Sequence, residues 1–216
     1  MQSATLSIHR TAAPITVLGP GRRAVIWVQG CPFSCPGCIA PETRDISKGQ
    51  QYSVAALAGW VVEQQDIEGI TLSGGEPMYQ AEPLASLIDQ ITSHQDVGVV
   101  CYTGYTYEAL LDVGTPAQRA LLERIDLLID GPYLQSQHAN LLWRGSENQR
   151  LILLTNRYRD LINSLSVETD TSAGIQLSVS NDGTPWYAGV PPQQYFRERF
   201  EEHLRARGVH LVKEEL

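Results

Sequence analysis

Short apolar, β-branched blocks alternate with longer amphipathic ones over roughly the first three quarters of the chain, a rhythm that predicts strands interleaved with helices. Arg23 to Gln29 is almost wholly apolar after its arginine and stops at Gly30, which predicts a buried strand. Ser53 caps a predicted amphipathic helix reaching about Gln65. Gly69 to Ser73 predicts a short strand running into Gly74 and Gly75, Ala81 to His94 a helix, and Val97 to Tyr102 the next strand. Helical turns follow at Tyr105 to Asp112 and Pro116 to Glu123, then strands at Asp126 to Asp130 and Leu151 to Leu154.

Strands alternating with helices predict parallel βαβ units, whose ligand site lies beyond the carboxyl ends of the strands. Beyond Asn156 the rhythm changes. Ile175 to Ser180 and Trp186 to Val190, separated by NDGTP, predict a hairpin; a helix over Pro192 to Arg207 and a short strand at Val209 to Val212 follow. No internal repeat or linker marks off a second unit, so the expectation is a single domain over 1–216, with a core at about 23–156 and an extension at about 157–216.

Composition narrows the classes. A chain of 216 residues can hide roughly 70% of its unfolded surface in one core without staples. A net charge of -8, with no long basic run, disfavours nucleic acid as a partner. No continuous apolar stretch reaches membrane length, and the first residues lack the basic and apolar regions of a secretion signal, so the expectation is no membrane and a cytoplasmic location.

Three of the four cysteines, Cys31, Cys35 and Cys38, fall within the eight residues CPFSCPGC, a spacing poor for disulfides and good for metal chelation. Pro32, Pro36 and Gly37 forbid a regular helix there and leave the loop free to wrap around a group. Thiolates are the usual ligands of iron-sulfur clusters, and CxxxCxxC can hold three corners of one 4Fe-4S cubane, leaving one iron without a protein ligand. Zinc would need a fourth strong ligand from Cys101 or from His9, His94, His138, His203 and His210, none of which is paired at ligand spacing. Cys101, within VGVVCY, fits a small buried hydrophobe.

CxxxCxxC after an N-terminal strand, followed by SGGEP after the next, resembles the radical SAM superfamily. The resemblance implies a partial, incomplete parallel (β/α) barrel carrying a C-terminal hairpin and helix extension. It implies that the cluster binds S-adenosylmethionine at its open iron and cleaves it by one electron to a 5'-deoxyadenosyl radical. Gly74 and Gly75 let backbone approach a ligand, Pro77 preorganises the following turn, and by resemblance this turn, with Glu76, receives the methionine ammonium. Thr103 and Asp130 end the next two strands; the resemblance places them near the ribose and carboxylate of the cofactor, with Asp130 helping to hold a monovalent cation. Each is also suited to capping a turn.

VQGCPFSCPGCIAPET, YTGYTYEAL and DLLIDGPYLQSQHANLLWRGSENQRLI are similar to the branch that activates glycyl-radical enzymes, in particular anaerobic ribonucleotide reductase. Gly37 just before Cys38, where many relatives carry an aromatic, agrees with that branch. The implied partners are a glycyl-radical enzyme as protein substrate and a flavodoxin- or ferredoxin-type electron donor. Two other functions stay open on these residues: a small-molecule radical enzyme such as a 7-carboxy-7-deazaguanine synthase, and a non-enzymatic zinc or iron-sulfur module.

Overall fold

A computed structural model of the chain describes residues 4–180 and 183–209, so the strand expected at Val209 to Val212 lies outside the described residues from position 210 on. Its strands are β1 (Thr5–Ile15), β2 (Arg23–Val28), β3 (Gln50–Ser53), β4 (Gly69–Gly74), β5 (Gly98–Tyr102), β6 (Leu127–Asp130), β7 (His138–Leu141), β8 (Arg144–Ser146), β9 (Arg150–Leu153), β10 (Ile175–Val179) and β11 (Pro185–Gly189). Its helices are α1 (Val54–Val62), α2 (Ala81–Thr92), α3 (Tyr107–Asp112), α4 (Pro116–Leu122), α5 (Arg159–Asn163) and α6 (Phe196–Arg205).

Seven strands form one sheet in the order β3-β1-β2-β4-β5-β6-β9. The four central strands β2, β4, β5 and β6 are parallel, as the alternating pattern predicts. The flanks are not. β1 runs antiparallel to both β2 and β3, and β9 runs antiparallel to β6. The alternation between Ala81 and Asp130 carries a helix between each pair of strands, whereas the chain reaches β9 through the short ladder β7–β8 without a crossover helix, and only a crossover returns the chain to a parallel course. The fold is thus a mixed α/β architecture with a largely parallel central sheet.

Local chemistry explains the helix starts. Ser53 accepts the Ala56 N–H at the head of α1, as expected, and Thr106 accepts the Ala109 N–H at the head of α3. Thr115 and Gln118 form a capping box on α4, with Pro116 in its first turn. In α2 the buried positions 81, 84, 85, 88 and 91 follow the i, i+3, i+4, i+7 spacing of one apolar face.

Period-2 alternation decides which strand residues meet those helices. Ala24, Ile26, Val28, Ile70, Leu72, Val99, Cys101 and Leu128 pack with the buried faces of α1, α2 and α4. Cys101 is fully buried there, which is the small-hydrophobe role its strand context predicts. Each fully buried Leu, Ile or Val contributes roughly 1.5–3 kcal/mol. The opposite face carries Val25, Trp27, Val100, Tyr102, Leu127 and Ile129, and it is covered from the C-terminal side by Trp143, Tyr158, Ile162, Trp186, Ala188 and Val190. Trp186 meets Trp27 edge to face at 6.1 Å. A parallel sheet needs both faces covered, and here the C-terminal extension together with Trp143 covers the second. Among the described residues no helix is long and apolar enough to cross a membrane.

Candidate functional site

The register Val28↔Gly74 sets the end of β2 beside the end of β4, so the cysteine loop and the double glycine leave the sheet side by side. Gly75 N–H donates to Val28 O at 2.8 Å and Glu76 N–H to Gly30 O at 2.9 Å, stitching the two turns together. Gly74 adopts φ +97°, and a Cβ there would lie 2.6 Å from Val28 O; a Cβ on Gly75 would collide with Gly30 O. These glycines are required by close backbone approach, and the same approach leaves their peptide groups free of shielding side chains.

The loop is wrapped by the segment that returns after it. Gly30 N–H donates to Thr43 O, Cys31 N–H to Arg44 O, and the Arg44 guanidinium to Cys35 O at 2.7 Å. Gln29 donates its amide to Glu42 O at 2.8 Å and to Asp45 O at 2.7 Å. Phe33 packs edge to face on Tyr105 at 5.0 Å, and a Cβ on Gly104 would lie 2.6 Å from the Phe33 ring. Cys31, Cys35 and Cys38 are free thiols, partly exposed.

Burial pushes the Cys31 thiol up to about 11, against the pull of the Phe33 backbone N–H. Burial also raises the Cys35 thiol, together with the neighbouring Cys38, while the Tyr133 backbone N–H and Arg44 act in the opposite sense. Metal or cluster binding therefore has to displace thiol protons. No three His, Cys, Asp or Glu side chains among the described residues converge on a single-ion site. Cluster ligands sit on different iron atoms and have no need to converge on one point. The free thiols, the loop without regular helix and the uncrowded glycine turn are a donor set that fits a three-thiolate cubane.

The structure brings the other expected residues to the same rim and gives each an internal partner. Glu76 is buried, and its carboxylate accepts from Thr103 Oγ1 at 2.9 Å, Met78 N at 2.9 Å and Gly104 N at 2.7 Å. Burial raises this carboxyl to about 7, opposed by those same hydrogen bonds. Pro77 opens a short 3₁₀ turn capped by Glu76. Thr103 links that carboxylate to the Tyr105 N–H at 3.2 Å. Asp130, fully buried, accepts from Tyr107 N at 2.8 Å and from Arg150 Nε at 3.0 Å and Nη2 at 2.5 Å.

Three contributors escape a reading of spacing alone. Arg44 holds the loop carbonyl, Tyr133 offers its backbone N–H to Cys35, and Arg150 is the cation beside Asp130. Their signal is present in PETR, DGPY and SENQR, yet none of these stretches says which strand end its residue will face.

A parallel sheet whose carboxyl rim joins a three-cysteine loop to a double-glycine turn defines a class, the cluster-bearing radical SAM proteins. The family described as "4Fe-4S single cluster domain" matches residues 17–152, and the chain belongs to it. The "Anaerobic ribonucleoside-triphosphate reductase-activating protein" of Vibrio cholerae is 37% identical over 145 residues, covering 63% of this chain and 91% of its own length. The protein of that name from Enterobacteria phage T4 is 34% identical over 141 residues, 62% of this chain and 86% of its own. That from Escherichia coli K12 is 31% identical over 154 residues, 67% of this chain and 96% of its own. Within the superfamily the chain is an enzyme of the glycyl-radical activating branch.

Proposed function

We propose that the chain reductively cleaves S-adenosylmethionine at a 4Fe-4S cluster held by Cys31, Cys35 and Cys38 and so generates a glycyl radical on a partner enzyme such as an anaerobic ribonucleoside-triphosphate reductase. The observation that carries this reading is the joining of the CxxxCxxC loop to the Gly74-Gly75 turn through the Gly75 and Glu76 N–H groups, in a chain similar along most of their length to activating proteins of that reductase. When bound, the cluster and its sulfonium ligand supply a one-electron cleavage whose product removes a hydrogen atom from carbon.

The chain's own residues bind, orient and shield. Three cysteines provide thiolates and leave one corner without a protein ligand. Gly74 and Gly75 present backbone carbonyl oxygens to the ammonium of the cofactor's methionine half. Glu76 caps the Pro77 turn through the Met78 N–H and holds it against the end of β5 through two hydrogen bonds, from Thr103 Oγ1 and the Gly104 N–H. Asp130 ties the end of β6 to the start of α3 and to β9, fixing the wall on the ribose side. We read the sheet as a partial parallel barrel whose rim admits a glycine segment of the partner. A flavodoxin- or ferredoxin-type protein in the cytoplasm supplies the electron.

The test is to reconstitute the full chain anaerobically, add reductant, S-adenosylmethionine and an anaerobic ribonucleotide reductase, and record the EPR spectrum. A glycyl doublet with one 5'-deoxyadenosine formed per radical is expected. Cleavage without a doublet on any such reductase, stimulated only by a small heterocyclic substrate, would move the chain to the small-molecule enzymes.

A further inference from the structure

Residues 153–216 lie beyond the 4Fe-4S family match, yet α6 within them is fastened to the segment that follows Cys38. Arg197, in α6, donates from Nη1 to Ile39 O at 3.0 Å and to Glu42 Oε2 at 2.5 Å, and from Nε to Glu201 Oε1 at 2.9 Å. Its side chain is only 26% exposed, so these charge-assisted bonds are partly shielded from water. One turn earlier, Gln194 donates to Gln135 O at 2.7 Å. The amide of Gln135 in turn lies under Gly37, where a Cβ would approach to 2.8 Å.

The helix is held in place to do this. Phe196 and Phe200 stack at 5.3 Å, and Tyr187 of β11 meets both edge to face at 5.6 Å. β11 is itself seated on the sheet through Trp186 against Trp27 and the Arg10 guanidinium over Trp186 at 5.0 Å. A continuous chain of contacts therefore runs from the central sheet through the hairpin and α6 back to the backbone just after Cys38.

We propose that the C-terminal extension is a brace for the cluster loop and that Arg197 is its positioning residue, fixing the backbone just after Cys38 and closing that flank of the loop to solvent and oxidants. The inference goes beyond the activating function and rests on it only where a cluster is involved. Held at Ile39 and Glu42, the segment returning around the loop keeps the Cys38 thiol in register with Cys31 and Cys35. Released there, it retains the inner bonds from Gln29 and Gly30 but loses the outer ones.

Hydrogen exchange of the cluster-free full-length protein tests the brace directly. Arg197→Ala is expected to speed amide exchange over 38–44 roughly three- to tenfold, with β10 and β11 unchanged, and Arg197→Lys to recover part of the protection through Glu42. Arg199→Ala, on the same helix but off the loop, should leave 38–44 as in the wild type. After anaerobic reconstitution, Arg197→Ala should bleach in air faster than wild type by a similar factor. Unchanged exchange at 38–44 with unchanged bleaching overturns the brace. Should Arg197→Ala loosen the hairpin as well, Glu42→Gln decides from the loop side: faster exchange at 38–44 supports the brace and none overturns it. A wild-type protein that takes up no iron and sulfide would sink the functional proposal while leaving the exchange comparison to judge the brace.

Discussion

At the end of the central sheet where its parallel strands begin, Arg23 is wholly buried and each of its five N–H groups has an acceptor. Nε meets Thr71 Oγ1 at 2.6 Å, Nη1 meets Pro20 O at 2.8 Å and Tyr158 OH at 3.1 Å, and Nη2 meets Ile70 O and, at 2.7 Å, Gly98 O. At the end where the same strands finish, three thiols stand partly exposed and the glycine turn carries no side chain over its peptides. Burial lowers the Arg23 pKa and raises that of Glu76, so desolvation opposes charge at both ends. The floor answers desolvation by completing its hydrogen bonds. The rim also completes the hydrogen bonds of Glu76 but leaves its three cysteines as free, partly exposed thiols.

That contrast can be broken most sharply at Cys35. Cys35→Ser should reduce bound iron and sulfide from a full complement to none while leaving the denaturant midpoint of the cluster-free protein unchanged, because a partly exposed thiol contributes little to the core. Full iron content in that variant would remove the rim's assigned role. Arg23→Met should do the reverse. It orphans buried acceptors at the floor, costs about 3–5 kcal/mol in denaturant unfolding, and leaves the iron-to-protein ratio of the folded fraction intact.

Glu76 tests the rim by titration. Its pKa is raised from 4.5 to about 7, so the folded chain keeps a proton that the unfolded chain releases. Stability from this group is therefore greatest at low pH and is lost as pH rises through 7. Between pH 5 and 8 the wild type should lose about 2–3 kcal/mol relative to Glu76→Gln, read as the difference between their unfolding free energies at each pH. Parallel pH profiles would show that the carboxyl is not desolvated as described. Gly74→Ala forces a side chain into φ +97° against the Val28 backbone, and calorimetry should register a loss of about 2 kcal/mol. Smallest of all at the rim, Cys101→Ser should leave iron and sulfide content unchanged. Cluster loss there would mean that the fourth cysteine is a ligand.

The central strands, the capped helices and the CPFSCPGC and SGGEP stretches are all legible in the sequence, because period, capping residues and ligand spacing are local properties of a few neighbouring side chains. Ser53 and the α2 face illustrate this: each acts within one or two turns of its own position. The edge strands β1 and β3 and the antiparallel direction of β9 escape such a reading, since strand pairing and direction depend on where the connecting chain goes. So do the partners of Arg23, which reads as the first residue of a strand but binds groups 48 and 135 residues away. Arg197 bonds to Glu42 across 155 positions, and in the sequence it is one charge among the alternating charges of a helix face. The candidate ligand set is thus determined by residues close together in sequence. Tertiary structure alone decided which buried charges are satisfied and what holds the cysteine loop, because hydrogen-bond partners distant in sequence meet only once the sheet has brought the strand ends together.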